Sequence, residues 1–167
     1  MVKFTCKLKK RKDDVKVVTK EHNARKTCCF CASDYHLEMV ILPYIKERLE
    51  TSKFVIMTEK DLDKSVKTLL ERTNLEEKSR DKIINIDWKA NDFEKFKEIK
   101  DYSENNEKLA IFVNGDSNYI NNINRNIEKW VNGNVSVIDC FHIEEVGGDI
   151  NNISKRYNNI LNTGKIN

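Results

Sequence analysis

Five short apolar runs recur along this chain of 167 residues, and each is followed by a polar segment that can form a helix. The runs are residues 27–31, 53–58, 82–88, 109–114 and 135–141. Strands that alternate with helices are typical of a parallel sheet, because each crossover between parallel strands needs a helix-sized connection. The spacing therefore predicts an α/β fold, a three-layer sandwich around a mostly parallel sheet of about five strands.

The first 25 residues follow a different pattern. Residues 2–8 alternate apolar and basic side chains, and residues 15–18 resume a strand-like pattern after a charged turn. This predicts a β-hairpin extension over residues 1–25 and one α/β domain over residues 26–167. Two interpretations of the basic cluster in this extension remain open: it is a solvated hairpin tip, or it is a docking surface for an acidic partner. The cluster consists of Lys7, Lys9, Lys10, Arg11 and Lys12.

The segments between the runs carry apolar residues at the three-and-four spacing of a buried helix face. Ser33 or Asp34 is expected to cap the first helix, in which Pro43 predicts a kink or a late start. The last helix is expected after Gly147-Gly148-Asp149. Its predicted buried face consists of Ile150, Ile153, Tyr157, Ile160 and Leu161.

Bulk composition narrows the class of protein. A net charge of +3 is too small by itself to indicate a nucleic-acid partner. No apolar stretch approaches the length that crosses a membrane, and no signal peptide opens the chain. Five cysteines are an odd number and fit a reducing compartment. We therefore expect a cytoplasmic protein without a membrane partner, and self-association into a homo-oligomer stays open.

Three cysteines are crowded into the first apolar run. On a strand, Cys29 and Cys31 share one face and Cys28 takes the other. Buried structural thiols, a redox sensor and a zinc site all remain open, although the Cys-x-x-Cys knuckle usual for zinc is missing. Cys140, at the end of the fifth run, could approach Cys31 if their strands are neighbours. We predict no metal ligand from this pattern.

The chain contains no recognised catalytic motif. The chain has neither Gly-x-x-x-x-Gly-Lys-[Ser/Thr] nor Gly-x-Gly-x-x-Gly, so the phosphate-binding loops of nucleotide enzymes are absent. Cys140 and His142, with Asp139 beside them, suggest a thiol nucleophile as an alternative. A strand-end cysteine next to a surface histidine explains the same residues. We therefore predict no enzyme and no cofactor.

Several segments together resemble the MEDS domains, the methanogen/methylotroph DcmR sensory domains. The resemblance is carried by the run from Cys28 to Tyr35, the helix from Met39 to Leu49, the strand from Phe54 to Thr58 with Glu59 and Asp61, and the strand from Val135 to Phe141. It covers roughly residues 26 to 162. It implies a RecA- or KaiC-like fold that lacks the phosphate-binding loop, and a sensory or regulatory role in signalling.

Ligands of parallel α/β sheets usually bind at the carboxyl ends of the strands. We therefore predict a non-catalytic domain that binds a small ligand or a regulatory protein at this rim. Cysteines would read the ligand or its redox state, aromatic rings would stack on it, and carboxylates would orient its polar groups. The predicted ligand-binding residues are Cys31, Ser33, Asp34, Tyr35, Thr58, Glu59, Trp88, Asn114, Asp116, Cys140 and His142.

Overall fold

A computed structural model describes residues 24–162 and 165–166 of the chain. Both strands of the predicted hairpin, residues 2–8 and 15–18, lie outside the described residues. The sheet has six strands: β1 (Arg25–Cys31), β2 (Lys53–Thr58), β3 (Leu109–Asn114), β4 (Val135–His142), β5 (Asn159–Asn162) and β6 (Lys165–Ile166).

The strands form one sheet in the order β2-β3-β4-β1-β5-β6. All pairings among the first five are parallel, and β6 pairs antiparallel with β5. The predicted α/β class with a mostly parallel sheet is confirmed. The register places Cys140 of β4 opposite both Cys29 of β1 and Asn114 of β3.

Helices cover both faces of the sheet, as expected for buried parallel strands. They are α1 (Asp34–Arg48), α2 (Asp63–Arg72), α3 (Glu77–Ile84), α4 (Asp92–Glu104), α5 (Ser117–Ile127), α6 (Ile143–Val146) and α7 (Ile150–Ser154). Apolar residues of α1, α2 and α3 share one core cluster with alternate strand residues, and we call this side of the sheet the α1 face. Residues of α4, α5, α6 and α7 pack on the opposite side. Helix α1 runs through Pro43 as one element.

The strand predicted at residues 82–88 is wrong, because this segment is the end of α3 followed by a loop. The Trp88 indole N–H donates to Ile83 O at 2.8 Å, which folds the loop back onto the helix. The Lys95 ammonium of α4 donates to Ile56 O at 2.5 Å, in strand β2 at the edge of the sheet. A side chain of α4 therefore binds a carbonyl of this edge strand.

The last predicted helix is also too long. Helix α7 ends at Ser154, and Ile160 and Leu161 belong to strand β5. Cys28 of β1 pairs with Ile160, so β5 extends the sheet beyond β1. Leu161 is buried in the core of the α1 face. Pairing with the free edge of β1 satisfies backbone groups that a helix at this point would leave exposed.

Candidate functional site

The carboxyl ends of β1 to β4 bring most of the predicted site residues to one edge of the α1 face. Thr58, Asn114 and Cys140 lie in register across β2, β3 and β4. Cys31 and His142 form the next pair, across β1 and β4. Because cross-strand partners project to the same side of a sheet, all five side chains belong to one face. We call this edge the rim.

The rim includes the point at which the chain changes direction across the sheet. After β1 the chain enters α1 on one face, whereas after the neighbouring β4 it enters α6 on the other. Adjacent strands whose connections leave toward opposite faces form the crevice in which open α/β sheets bind ligands. Asp34 and His142 stand on either side of this crevice.

Asp34 links the loops that follow three strands. It opens α1 after β1, and its Oδ1 lies 3.4 Å from His142 Nε2 at the end of β4. Its Oδ2 lies 3.8 Å from Lys60 Nζ, just beyond β2. The Asp34–His142 contact lacks hydrogen-bond geometry, and Asp34 Oδ1 is buried without a hydrogen-bond partner among the described residues. Sequence reasoning missed Lys60, although its place just after β2 was a usable signal.

Asn114 supplies a second acceptor without a donor at the rim. Its side chain is only 5% exposed, and its Nδ2 donates to Thr58 Oγ1 at 3.5 Å. Its Oδ1 is buried and accepts no hydrogen bond from the described part of the chain. An unsatisfied buried acceptor lowers stability by about 1–3 kcal/mol, so a ligand that donates a hydrogen bond to this oxygen would remove that penalty.

The turn after β3 is tightly packed against the loop after β2. Glu59 Oε1 accepts a hydrogen bond from Asp116 N at 3.1 Å, and Asp116 Oδ1 caps α5 by accepting from Tyr119 N at 2.7 Å. A Cβ added at Gly115 would lie 2.5 Å from Glu59 Oε1 and 2.5 Å from the Tyr119 ring. Asp116 therefore caps α5, and its carboxylate opposes an anion at this turn.

Ser33 and Tyr35 occupy the start of α1. Ser33 Oγ accepts from His36 N at 3.1 Å, so it caps the helix. Tyr35 is 62% exposed, which leaves its ring free to contact a ligand. It also lines a cleft of about 430 Å³ between α1 and α2, together with Glu38 and Ser65. Only Ala32 and Ser33 connect β1 to α1, which leaves no room for a phosphate-binding loop at this junction.

Trp88 does not join the rim surface. Its side chain is 1% exposed and packs in the core of the α1 face. The prediction that it stacks on a ligand assumed a strand end, and the segment is a loop folded under α3. Its indole N–H is already used by Ile83 O. Trp88 is therefore a core residue and does not line the rim.

The four described cysteines are free and buried. Cys29 and Cys31 lie on the α1 face with their sulfur atoms 3.3 Å apart, and Cys28 lies on the opposite face, as predicted. A hydrogen bond with Cys29 and burial raise the pKa of Cys31, and burial raises the pKa of Cys28 to about 11. Burial also raises the pKa of Cys140, despite a hydrogen bond with Cys29 that lowers it. Thiols of this kind are poor nucleophiles, because the thiolate is the reactive form.

No group of three or more His, Cys, Asp or Glu side chains in the described residues is arranged to hold a metal ion. His142 faces Asp34, whereas the Cys140 thiol donates to Ile138 O at 3.7 Å. The described geometry therefore lacks the thiol–imidazole hydrogen bond that a Cys–His nucleophile requires.

No protein-family model, curated protein or solved structure matches this chain. Within the described residues, no helix combines the length and apolar character needed to span a membrane.

Proposed function

We propose that this protein is a non-catalytic sensory or regulatory domain that binds a small cationic ligand at the rim. The observation that carries the proposal is a pair of buried acceptors, Asn114 Oδ1 and Asp34 Oδ1, without donors among the described residues. Both stand at the carboxyl ends of parallel strands, the usual ligand position of such sheets. The sensory part of the proposal comes from the resemblance to MEDS domains.

The charge of the rim favours a ligand that donates hydrogen bonds. Asp34, Glu59 and Asp116 are carboxylates, and the basic side chains that contact Asp34 are Lys60 and His142. A primary ammonium or a guanidinium donates several hydrogen bonds, and those to a carboxylate oxygen such as Asp34 Oδ1 are charge-assisted. The exposed ring of Tyr35 offers a face on which the cation could rest.

Three features of the chain support binding without catalysis. The thiols are buried, and their raised pKa values keep them protonated at neutral pH. The β1–α1 connection has no phosphate-binding loop. The Asp34 carboxylate in the first turn of α1 repels an anion at that helix terminus, where a nucleotide phosphate would otherwise bind.

Titration of the full ¹⁵N-labelled chain with n-butylamine, followed by NMR, tests the proposal. We expect saturable shifts of the Asn114 side-chain amide and of the backbone amides of Asp34 and Lys60. The uncharged analogue n-butanol should bind more weakly, because it forms no charge-assisted hydrogen bond. Absence of saturable shifts at these positions would overturn the proposal.

Asn114→Leu is the decisive variant, since it removes the acceptor while keeping a similar volume. We expect it to weaken n-butylamine binding by about tenfold or more, the cost of one charge-assisted hydrogen bond. Asn151→Leu on the exposed surface of α7 is the matched control and should bind as the wild type does. Equal affinity of Asn114→Leu and the wild type would refute a role for this acceptor.

A further inference from the structure

A basic cleft lies at the opposite edge of the α1 face. It has a volume of about 480 Å³, and it opens between the amino ends of β1, β3 and β4 and the last turns of α1. This volume lies in the range of small-molecule sites, roughly 300–1,000 Å³. The cleft is independent of the rim and of the function proposed for it.

Small side chains on the sheet create the cleft. Arg25, Ser136 and Ala110 are in register across β1, β4 and β3, so they form one row of the α1 face. The next residues inward on this face are larger, with Ile138 after Ser136 and Phe112 after Ala110. Ser136 and Ala110, the small residues of this row, therefore form a low floor in the cleft that Tyr44 and Arg48 of α1 also line.

The lining carries positive charge without a counter-charge of its own. Arg25, Arg48 and Lys108 line the cleft, and no Asp or Glu is found among its described lining residues. Hydroxyl groups add neutral donors around the three cations. They belong to Thr27, Tyr44, Thr51, Ser52 and Ser136.

Arg48 is held in place before any ligand binds. Its guanidinium carbon lies 3.8 Å from the centre of the Tyr44 ring, and its Nη1 donates to Tyr44 O at 3.2 Å. The same nitrogen lies 3.4 Å from Glu47 Oε2, the one carboxylate in contact with it among the described residues. A planar, pre-positioned guanidinium binds oxyanions well, because little side-chain entropy remains to be lost.

The carboxyl terminus of α1 does not cancel this charge. The Arg48 carbonyl accepts hydrogen bonds from Thr51 N at 3.1 Å and from Ser52 N at 3.0 Å. The negative end of the helix is thus partly satisfied by its own following turn. Arg48 itself is one of the residues that line the cleft.

The geometry points to a binding site for a small oxyanion in this cleft, one that carries phosphate or carboxylate groups. Arg48 and Arg25 would donate charge-assisted hydrogen bonds to its oxygens from two sides of the cavity. Lys108 and the hydroxyl groups would complete the shell. The volume accommodates an organic anion larger than a single phosphate group.

Calorimetric titration of the full chain at constant ionic strength tests this site, with pyrophosphate and citrate as separate probes. Saturable binding of either probe supports an oxyanion site, and the stronger probe identifies phosphate or carboxylate as the preferred group. NMR shifts should map to the amides of Arg25, Ser136 and Lys108. Failure of both probes to bind, or shifts confined to other regions, would overturn the inference.

Arg48→Gln and Arg25→Gln should each weaken binding of the better probe by about tenfold or more. Lys155→Gln on the exposed end of α7 removes the same charge outside the cleft and should change affinity less than about twofold. Ser136→Ile should block the cavity while leaving every cation in place. Equal losses for Arg48→Gln and Lys155→Gln would reduce the effect to diffuse electrostatics and reject a built site.

Thermal unfolding of each variant separates loss of binding from loss of fold. Arg48→Lys offers a second check, because it keeps the charge but loses the planar fork and the stacking on Tyr44. We expect an affinity between those of the wild type and Arg48→Gln. A duplex oligonucleotide that binds more tightly than either small anion, and competes with it, would contradict the assignment to a small ligand.

Discussion

The two ends of the α1 face differ in the hydrogen-bonding groups that they offer to a ligand. The rim holds buried acceptors without described donors, at Asn114 and Asp34, whereas the cleft holds donors without described lining carboxylates, at Arg25 and Arg48. One helix contributes to both ends, since α1 has Asp34 in its first turn and Arg48 in its last. Those positions also complement the helix macrodipole. The comparison of the two ends shows that charged residues which stabilise one helix can also give two sites opposite charge.

The ends should differ most in how tightly they are packed. Gly115→Val at the rim forces a side chain against Tyr119 and Glu59, where even a Cβ would lie 2.5 Å away. We expect a loss of about 1–3 kcal/mol in the free energy of unfolding, the usual cost of overpacking. Ser136→Val places its larger side chain in the open cleft and should change the free energy of unfolding by less than about 0.5 kcal/mol. Urea denaturation of both variants measures the contrast, and equal losses would contradict it.

Two neighbouring rim residues should shift stability in opposite directions. Thr58 Oγ1 donates to Lys60 O at 2.9 Å and accepts from Lys60 N at 3.3 Å. Thr58→Val leaves both groups unpaired and should lower the free energy of unfolding by about 1 kcal/mol. Asn114→Leu removes an unpaired buried acceptor and should raise it by up to about 1 kcal/mol.

Denaturant titrations at neutral pH compare the two variants with the wild type. A loss for Asn114→Leu as large as that for Thr58→Val would indicate that the Asn114 amide stabilises the fold and is not kept for a ligand. The opposite signs are expected because function and stability compete at a preorganised site.

Stability near the rim should also depend on pH. Burial raises the pKa of Glu38 above its usual 4.5, although Ser65 donates a hydrogen bond to its carboxylate. The folded state therefore holds the proton more tightly than the unfolded state. This contribution to stability is fully present below pH 4.5 and is lost as the pH rises through the raised pKa.

Glu38→Gln removes the titrating carboxyl group. The free energy of unfolding of this variant should therefore fall less steeply between pH 4.5 and neutrality than that of the wild type. Glu71→Gln on the exposed surface of α2 is the control and should keep the wild-type slope. Unfolding free energies measured across this pH range distinguish the two. Parallel curves for Glu38→Gln and the wild type would contradict a raised pKa for Glu38 in the folded state.

Part of this structure could be predicted from the chain, and the reasons are physical. Strands β2, β3 and β4 are buried on both faces, which explains the near-continuous apolar runs from which they were predicted. Residues 82–88 also form an apolar run, but Ile83 is buried as part of a helix and Trp88 as part of a loop. A short apolar run does not distinguish a strand from a buried helix end.

The two candidate sites were predictable to different degrees. Strand-end residues such as Asp34, Asn114 and His142 could be assigned to the rim because parallel strands end together. The cleft was not predicted, since it depends on the register of Ser136 with Ala110 and on the reach of Arg48 from α1. The sequence signal for the cleft was the presence of small side chains, Ser136 and Ala110, in strands whose other residues are mostly bulky. Their alignment across the sheet required the structure.

The smallest effects should come from charges that compete with the proposed ligands. Lys60 contacts Asp34 at 3.8 Å with its side chain 73% exposed, so Lys60→Gln should cost less than about 0.5 kcal/mol of stability. The same change frees the Asp34 carboxylate and should tighten n-butylamine binding by about two- to fivefold. Calorimetry and thermal unfolding measure the two quantities separately.

Glu47→Gln is the counterpart at the cleft, because Glu47 is the carboxylate that contacts Arg48. It should tighten pyrophosphate binding by a similar factor and leave n-butylamine binding unchanged. Lys60→Gln should in turn leave pyrophosphate binding unchanged, since Lys60 lies at the other end of α1. If each substitution altered both affinities equally, net charge would explain the results, and the two ends would not be separate sites.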